Sequence, residues 1–173
     1  RPSGETTNIM PTKVILNPHA DVGRGIKNLE TIKEAVQPIA EVDIVLTEWP
    51  GHAIDLAGEA IQEGYDLLVA AGGDGTVNEL VNSIMESGKE GIRLGVIPIG
   101  TGNDFAYALG ISDDVPMAVK NIIEDRTRMV DLALMEDDKG RRRYFANNMG
   151  VGLDANVIIR TAEISMLHGF PKY

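Results

Sequence analysis

Short apolar runs and helically spaced apolar residues take turns along most of the chain. Val14-Ile15-Leu16 is the first run, and Asn17-Pro18 should stop it, because proline cannot continue a central ladder. Gly23 and Gly25 punctuate the loop that follows. From Ile26, apolar side chains return at Leu29, Ile32, Val36 and Ile39, the spacing of one helix face. Val42, Ile44 and Leu46 alternate up to Thr47, which predicts a second strand. Gly51 then introduces a helix carrying Ile54, Leu56, Ala57, Ala60 and Ile61. From Asp66 to Ala71 the chain is almost unbroken apolar sequence, the pattern of a parallel strand covered on both faces. The cycle repeats with a helix over 76–85, a strand at Leu94-Gly95-Val96-Ile97, and helices over 104–109 and 116–123.

Strand and helix alternating through short connections predict an α/β fold: a parallel, Rossmann-like sheet with helices on both faces. The texture changes near Arg128. Two strands are expected over 129–135 and 143–151, joined through Asp137-Asp138-Lys139-Gly140, a turn sequence that favours an antiparallel hairpin. The expected organisation is a flexible leader over 1–12, an α/β domain over 13–127, and over 128–173 the start of a β-rich domain too short to stand alone. Arg141-Arg142-Arg143 reads as a solvated hairpin tip.

The 173 residues are 43% hydrophobic, enough to build a buried core. A formal net charge of −10 and a pI near 4.7 argue against nucleic acid as the main partner and give no electrostatic pull toward anionic lipid. Without cysteine, disulfides, thiolate zinc sites and cysteine nucleophiles are excluded. No stretch approaches the roughly 20 apolar residues of a membrane span. These features fit a cytoplasmic protein that touches a membrane only peripherally.

The chemistry concentrates in two glycine loops. Gly72-Gly73-Asp74-Gly75-Thr76-Val77-Asn78-Glu79 follows the apolar strand and precedes a helix. Ligands of parallel sheets bind at the carboxyl ends of strands, where this loop must lie. Its glycines are expected to adopt positive φ and to bring backbone N–H groups against a phosphate at a helix start. Asp74 in that setting suits a magnesium ligand or a proton acceptor; the plain alternative is a tight turn with an Asp helix cap. Pro98-Ile99-Gly100-Thr101-Gly102-Asn103-Asp104-Phe105 follows the next strand, with Thr101 and Asn103 able to bond phosphate or ribose oxygens and Asp104 as a second acid. An Asn/Asp helix cap with a glycine turn is the plain alternative there. Asn17-Pro18, Arg24 and Thr47 fall at the same sheet edge. No Gly-Lys-Ser/Thr triplet and no Gly-x-Gly-x-x-Gly after the first strand is present, so neither a Walker loop nor a dinucleotide fingerprint is at work.

Together, Asn17-Pro18, Thr47, Gly72 to Glu79 and Pro98 to Ala106 resemble the catalytic domain of diacylglycerol kinases, and more narrowly bacterial lipid kinases related to sphingosine and ceramide kinases. The resemblance implies ATP-dependent, magnesium-assisted phosphorylation of a lipid with a free hydroxyl. It implies that Asn17, Pro18, Thr47, Gly72, Gly73, Asp74, Gly75, Thr76, Val77, Asn78, Glu79, Gly100, Thr101 and Asn103 hold the nucleotide. Asp74, Asp104 and Asp131 would form the magnesium network, with Asp74 also the catalytic base. It further implies a β-sandwich after the α/β domain, an active site in the cleft between them, and homodimers among relatives.

The chain departs from the family pattern after Pro18, where His19-Ala20-Asp21-Val22-Gly23 places an acid near the expected phosphates. Phe145, Asn147, Gly150, Gly152 and Asp154 match only the opening of the sandwich, so the chain is expected to be incomplete as an enzyme. The alternatives are a small-molecule kinase of the wider NAD kinase superfamily, or a non-catalytic module that senses nucleotide or lipid.

Overall fold

The computed structural model describes residues 10–147. Its element order is β1 (Thr12–Leu16), α1 (Ala20–Gly23), a 3-10 turn (Gly25–Asn28), α2 (Leu29–Val36), β2 (Val42–Leu46), α3 (His52–Glu63), β3 (Leu67–Gly72), α4 (Asp74–Ser87), β4 (Arg93–Pro98), α5 (Asp104–Leu109), α6 (Val115–Ile123), β5 (Ala133–Glu136) and β6 (Arg142–Phe145). The first four strands form one parallel sheet in the order β2-β1-β3-β4, and β5-β6 is a separate antiparallel pair. This is the expected α/β architecture. β1 takes in Thr12, which the expected leader included.

The period of two along each strand divides the core. Ile15, Leu68, Ala70 and Val96 face α3, α4 and α5, where they meet Ala57, Ile61, Leu80 and Phe105. Val14, Leu16, Val69, Ala71 and Ile97 face the other way, against Ile32 and Val36 of α2 and Val115 and Val119 of α6. Every residue of β3 is buried, as its unbroken apolar sequence requires of a central strand with helices on both faces.

The strand order has a functional consequence. From β1 the chain moves outward to β2, then crosses back to place β3 on the other side of β1. Connections on the two sides of that point leave over opposite faces, which opens a crevice between the carboxyl ends of β1 and β3. Asn17 and Gly73 are the next residues at those ends.

One expectation needs correction. The segment 129–132 is not a strand; β5 begins at Ala133. Val130 and Leu132 instead lay their side chains on the core facing α4, while Met129 is 98% exposed. The hairpin itself forms, with Glu136 opposite Arg142 and Gly140 at positive φ in the turn. Arg141 and Arg142 pair within it, to Asp137 and Glu136 at 2.5 Å each. The N–H and guanidinium of Arg141 hold the Asp137 carboxyl below its ordinary range. The continuation of β6 toward Val151 lies outside the described residues.

Candidate functional site

Both glycine loops sit at the carboxyl edge, and they touch. A Cβ placed on Gly100 would lie 2.4 Å from the Cα of Gly73, so the backbones approach too closely for any side chain there. On Gly72 a Cβ would lie 2.3 Å from the Thr76 hydroxyl oxygen. The glycines therefore provide room and not unusual torsions. Gly72, Gly73, Gly75, Gly100 and Gly102 all avoid the positive-φ region expected of them, and the left-handed residue of the second loop is Asn103, at φ 56°. Asn tolerates that conformation because its short side chain can bond locally. Here its Oδ1 accepts the Gly100 N–H at 3.0 Å and its Nδ2 donates to the Gly100 carbonyl at 2.9 Å, closing the loop on itself.

Gly73 is extended and hands the chain straight into α4. The N–H groups of Asp74, Gly75 and Thr76 consequently have no acceptor among the described residues. They face the carboxyl edge with the positive end of a fourteen-residue helix behind them. Asn17 links this helix start to β1: its Nδ2 donates to Thr76 Oγ1 at 3.2 Å, and its Oδ1 accepts the His19 N–H at 2.9 Å. The crevice at the strand reversal is thus bridged by one amide–hydroxyl contact.

Asp74 does not cap its own helix. Its Oδ1 accepts the Phe105 N–H at 2.9 Å and its Oδ2 the Asp104 N–H at 3.1 Å, so the carboxylate caps α5 across the gap between loops. The side chain of Asn147, beyond β6, donates to Oδ1 at 2.8 Å. A helix cap was the plain alternative for this residue; the capping is real but tertiary, and it holds the acid between the two loops. A Cβ on Gly102 would stand 3.4 Å from Asp74 Oδ2 and 4.0 Å from Asp104 Oδ1, so both carboxylates border the space over Gly102.

The sequence of this architecture has relatives. The sequence model of the family described as "Diacylglycerol kinase catalytic domain" matches residues 11–135. The chain belongs to the diacylglycerol kinase catalytic domain family. A diacylglycerol kinase of Staphylococcus haemolyticus is 44% identical over 107 residues, covering 62% of this chain and 31% of that protein. One from Staphylococcus aureus strain Newman is 46% identical over 107 residues, covering 62% and 32%. A crystal structure of a diacylglycerol kinase from Bacillus anthracis str. Sterne superimposes with a TM-score of 0.64 at 32% identity, over 73% of this chain and 48% of that one. The chain thus spans about a third of the length of the curated relatives it matches.

Set against that family, the residues named from sequence fall into two groups. Asn17, Pro18, Gly72, Gly73, Asp74, Gly75, Thr76, Gly100, Thr101, Asn103 and Asp104 lie at or beside the paired loops. Thr47 adjoins them, buried, with its N–H on the Leu16 carbonyl. Val77 is turned into the core. Glu79 accepts the Ala53 N–H at 3.2 Å, supplying the cap that the start of α3 lacks locally. Asn78 accepts from Asn82. Asp131 lines an apolar cleft of about 930 Å³ along β4, together with Phe105, Leu109, Ile122 and Tyr144. Among the described residues no three His, Cys, Asp or Glu side chains are grouped to share one ion.

In the first loop Asp21 and Val22 sit at φ 47° and 55°, the left-handed region that a β-branched residue rarely adopts. Asp21 accepts a hydrogen bond from the Thr101 hydroxyl at 3.3 Å and lies 3.8 Å from the Arg24 guanidinium. Both Thr101 and Arg24, candidate phosphate contacts, therefore face a carboxylate. Sequence reading missed Asn82, which looks like any polar position on a helix.

Proposed function

We propose that this chain is the nucleotide-binding part of an ATP-dependent lipid kinase of the diacylglycerol kinase type. The observation that carries the reading is the contact of two glycine loops at the strand reversal, with Asp74 between them and free N–H groups at the start of α4. A polyphosphate fits that place for reasons of charge and shape. The N–H groups and helix dipole attract anions, and the absent side chains let phosphate oxygens reach the backbone. Asn17 and Thr76 lie at the adjoining edge, within reach of the remainder of the nucleotide.

Phosphoryl transfer needs positioning and charge stabilisation more than covalent participation. The lipid hydroxyl attacks the terminal phosphorus, the bond to the ADP oxygen breaks as the new P–O bond forms, and Asp74 takes the hydroxyl proton. The Asp104 and Phe105 N–H groups, donating to its two oxygens, hold the acid in place for this role. Asp74 and Asp104 offer hard oxygen donors on either side of Gly102, a set suited to magnesium, which commonly takes one or two carboxylates plus phosphate oxygens. Bound there, magnesium would neutralise phosphate charge. The apolar cleft starting at Phe105 supports an acyl-bearing acceptor, as do the names of the relatives. No helix among the described residues is long and apolar enough to cross a membrane.

Calorimetric titration with ATP, with and without magnesium, tests this reading. Saturable binding that magnesium strengthens and Asp74→Asn weakens at least tenfold is expected. Heats at the dilution level under both conditions would sink it.

A further inference from the structure

Asn82 is wholly buried (0% exposed) on α4, at a position where an aliphatic residue would fill the core more cheaply. Its carboxamide meets the backbone of Tyr144 twice: the Tyr144 N–H donates to Oδ1 at 2.9 Å, and Nδ2 donates to the Tyr144 carbonyl at 2.9 Å. Nδ2 also donates to the Asn78 carbonyl at 2.8 Å. The side chain offers β6 the donor and acceptor that a neighbouring strand would offer. No aliphatic residue can do so, and aspartate lacks the donor. A slip of one residue would bring Arg143 or Phe145 to this clamp and send every later side chain to the opposite face.

Three residues further on, Asn147 donates to Asp74 Oδ1. The two contacts are commensurate. Asn82 lies about 12 Å along the helix axis from Asp74, and Tyr144 to Asn147 spans at most about 10 Å of extended chain. The strand runs back along α4 toward its start, and the amide side chain covers the remainder. Asp74 takes its other two donors from α5. Among the described residues, Asn147 alone reaches it from beyond the parallel sheet and its helices.

We propose that Asn82 is a positioning residue for Asp74. By clamping Tyr144 it sets the register of β6 on α4, and that register delivers Asn147 to the Asp74 carboxylate. The inference rests on the reading of Asp74 as the acid of the site, and it makes that acid complete only when the hairpin is docked.

Proton-detected NMR and amide exchange on the ligand-free chain test the link. In Asn82→Leu, which offers Tyr144 neither acceptor nor donor, exchange at the Tyr144 N–H should accelerate roughly tenfold or more, and the Asn147 carboxamide protons should move to free-amide shifts. The Leu68 and Ala70 amides should keep their protection, which separates repositioning from general unfolding. Inserting one glycine after Ala146 leaves the clamp intact and lengthens the tether; Tyr144 should stay protected while the Asn147 carboxamide is released. This second variant serves if Asn82→Leu fails to fold. An Asn147 carboxamide unchanged in either folded variant would overturn the proposal. In ATP–magnesium titrations Asn82→Leu and Asn147→Ala should each weaken binding roughly three- to tenfold, and the double variant no further, because both act through one contact. Additive losses would overturn it too. A wild-type chain that binds no nucleotide would instead sink the kinase reading and leave the ligand-free result to judge the clamp.

Discussion

The space around single glycines separates two jobs in the loops. Gly100 cannot accept a methyl group without pushing the Gly73 backbone away. Gly100→Ala should therefore destabilise the fold by about 1–3 kcal/mol, the usual cost of overpacking, read as a lower urea midpoint. Gly75 has nothing within 4 Å of where its Cβ would go and sits in the first turn of α4. Gly75→Ala should raise stability by about 0.5–1 kcal/mol, since alanine loses less entropy in a helix. It should nevertheless weaken ATP binding severalfold by standing in front of the free N–H groups. Unchanged affinity would mean that phosphate does not lie against this turn. Asp21 makes the opposite case: its carboxylate occupies Thr101 and Arg24, and its backbone is in a region that suits glycine. Asp21→Gly should tighten ATP binding at low salt and not loosen it, which titration of the two proteins side by side would decide. Sequence pointed to all these positions, but it expected the glycines to bend the chain. Composition cannot tell a glycine needed for φ from one needed for room, because only the partner backbone reveals the second.

At the scale of elements, legibility followed the reach of the interactions. β3 and the helices around it were readable because burial on two faces leaves a local mark, an apolar run or a helical period. The segment 129–132 misled because alternation also arises where Val130 and Leu132 pack on a core without any strand partner. The Asn82 clamp and the Asp74 cap join residues 62 and 31 positions apart, so no local window contains them. The junction of β1, β2 and α3 carries a further tertiary device. Lys13 on β1 is 8% exposed, with Nζ 2.5 Å from Asp43 on β2, 3.6 Å from Glu63 at the end of α3, and 4.8 Å from the centre of the Tyr65 ring. Burial opposes its charge, but the Asp43 hydrogen bond and the charges of Asp43, Tyr65 and Glu63 outweigh that, and its pKa is raised above the ordinary lysine value. A pKa raised by folding stabilises the protein fully below the unfolded value and ceases to do so as pH climbs through the folded one. Wild type should therefore lose stability above about pH 10 more steeply than Lys13→Met, with parallel curves between pH 7 and 9. Urea midpoints across that range would show it, and equal alkaline slopes would remove Lys13 from the account.

Across the whole molecule, the net charge of −10 would work against the nucleotide proposed for the loops. ATP with magnesium is itself an anion, so long-range repulsion and short-range attraction compete, and salt distinguishes them. The charge on the chain is spread over its surface and acts at a distance, where a Debye length of about 10 Å at 0.1 M salt cuts it off. The start of α4 acts at contact with about half a positive charge, and salt hardly screens a group that touches its ligand. Raising salt should then remove the opposition and keep the attraction. The association rate for ATP with magnesium should rise severalfold between about 20 and 200 mM salt, whereas an electropositive cleft would make it fall. Stopped-flow measurements at those two concentrations, with magnesium held in excess, decide the sign. A rise places the attraction in the loops themselves. A fall would mean that local basic groups such as Arg24 dominate the approach, and Arg24→Gln should then abolish the dependence.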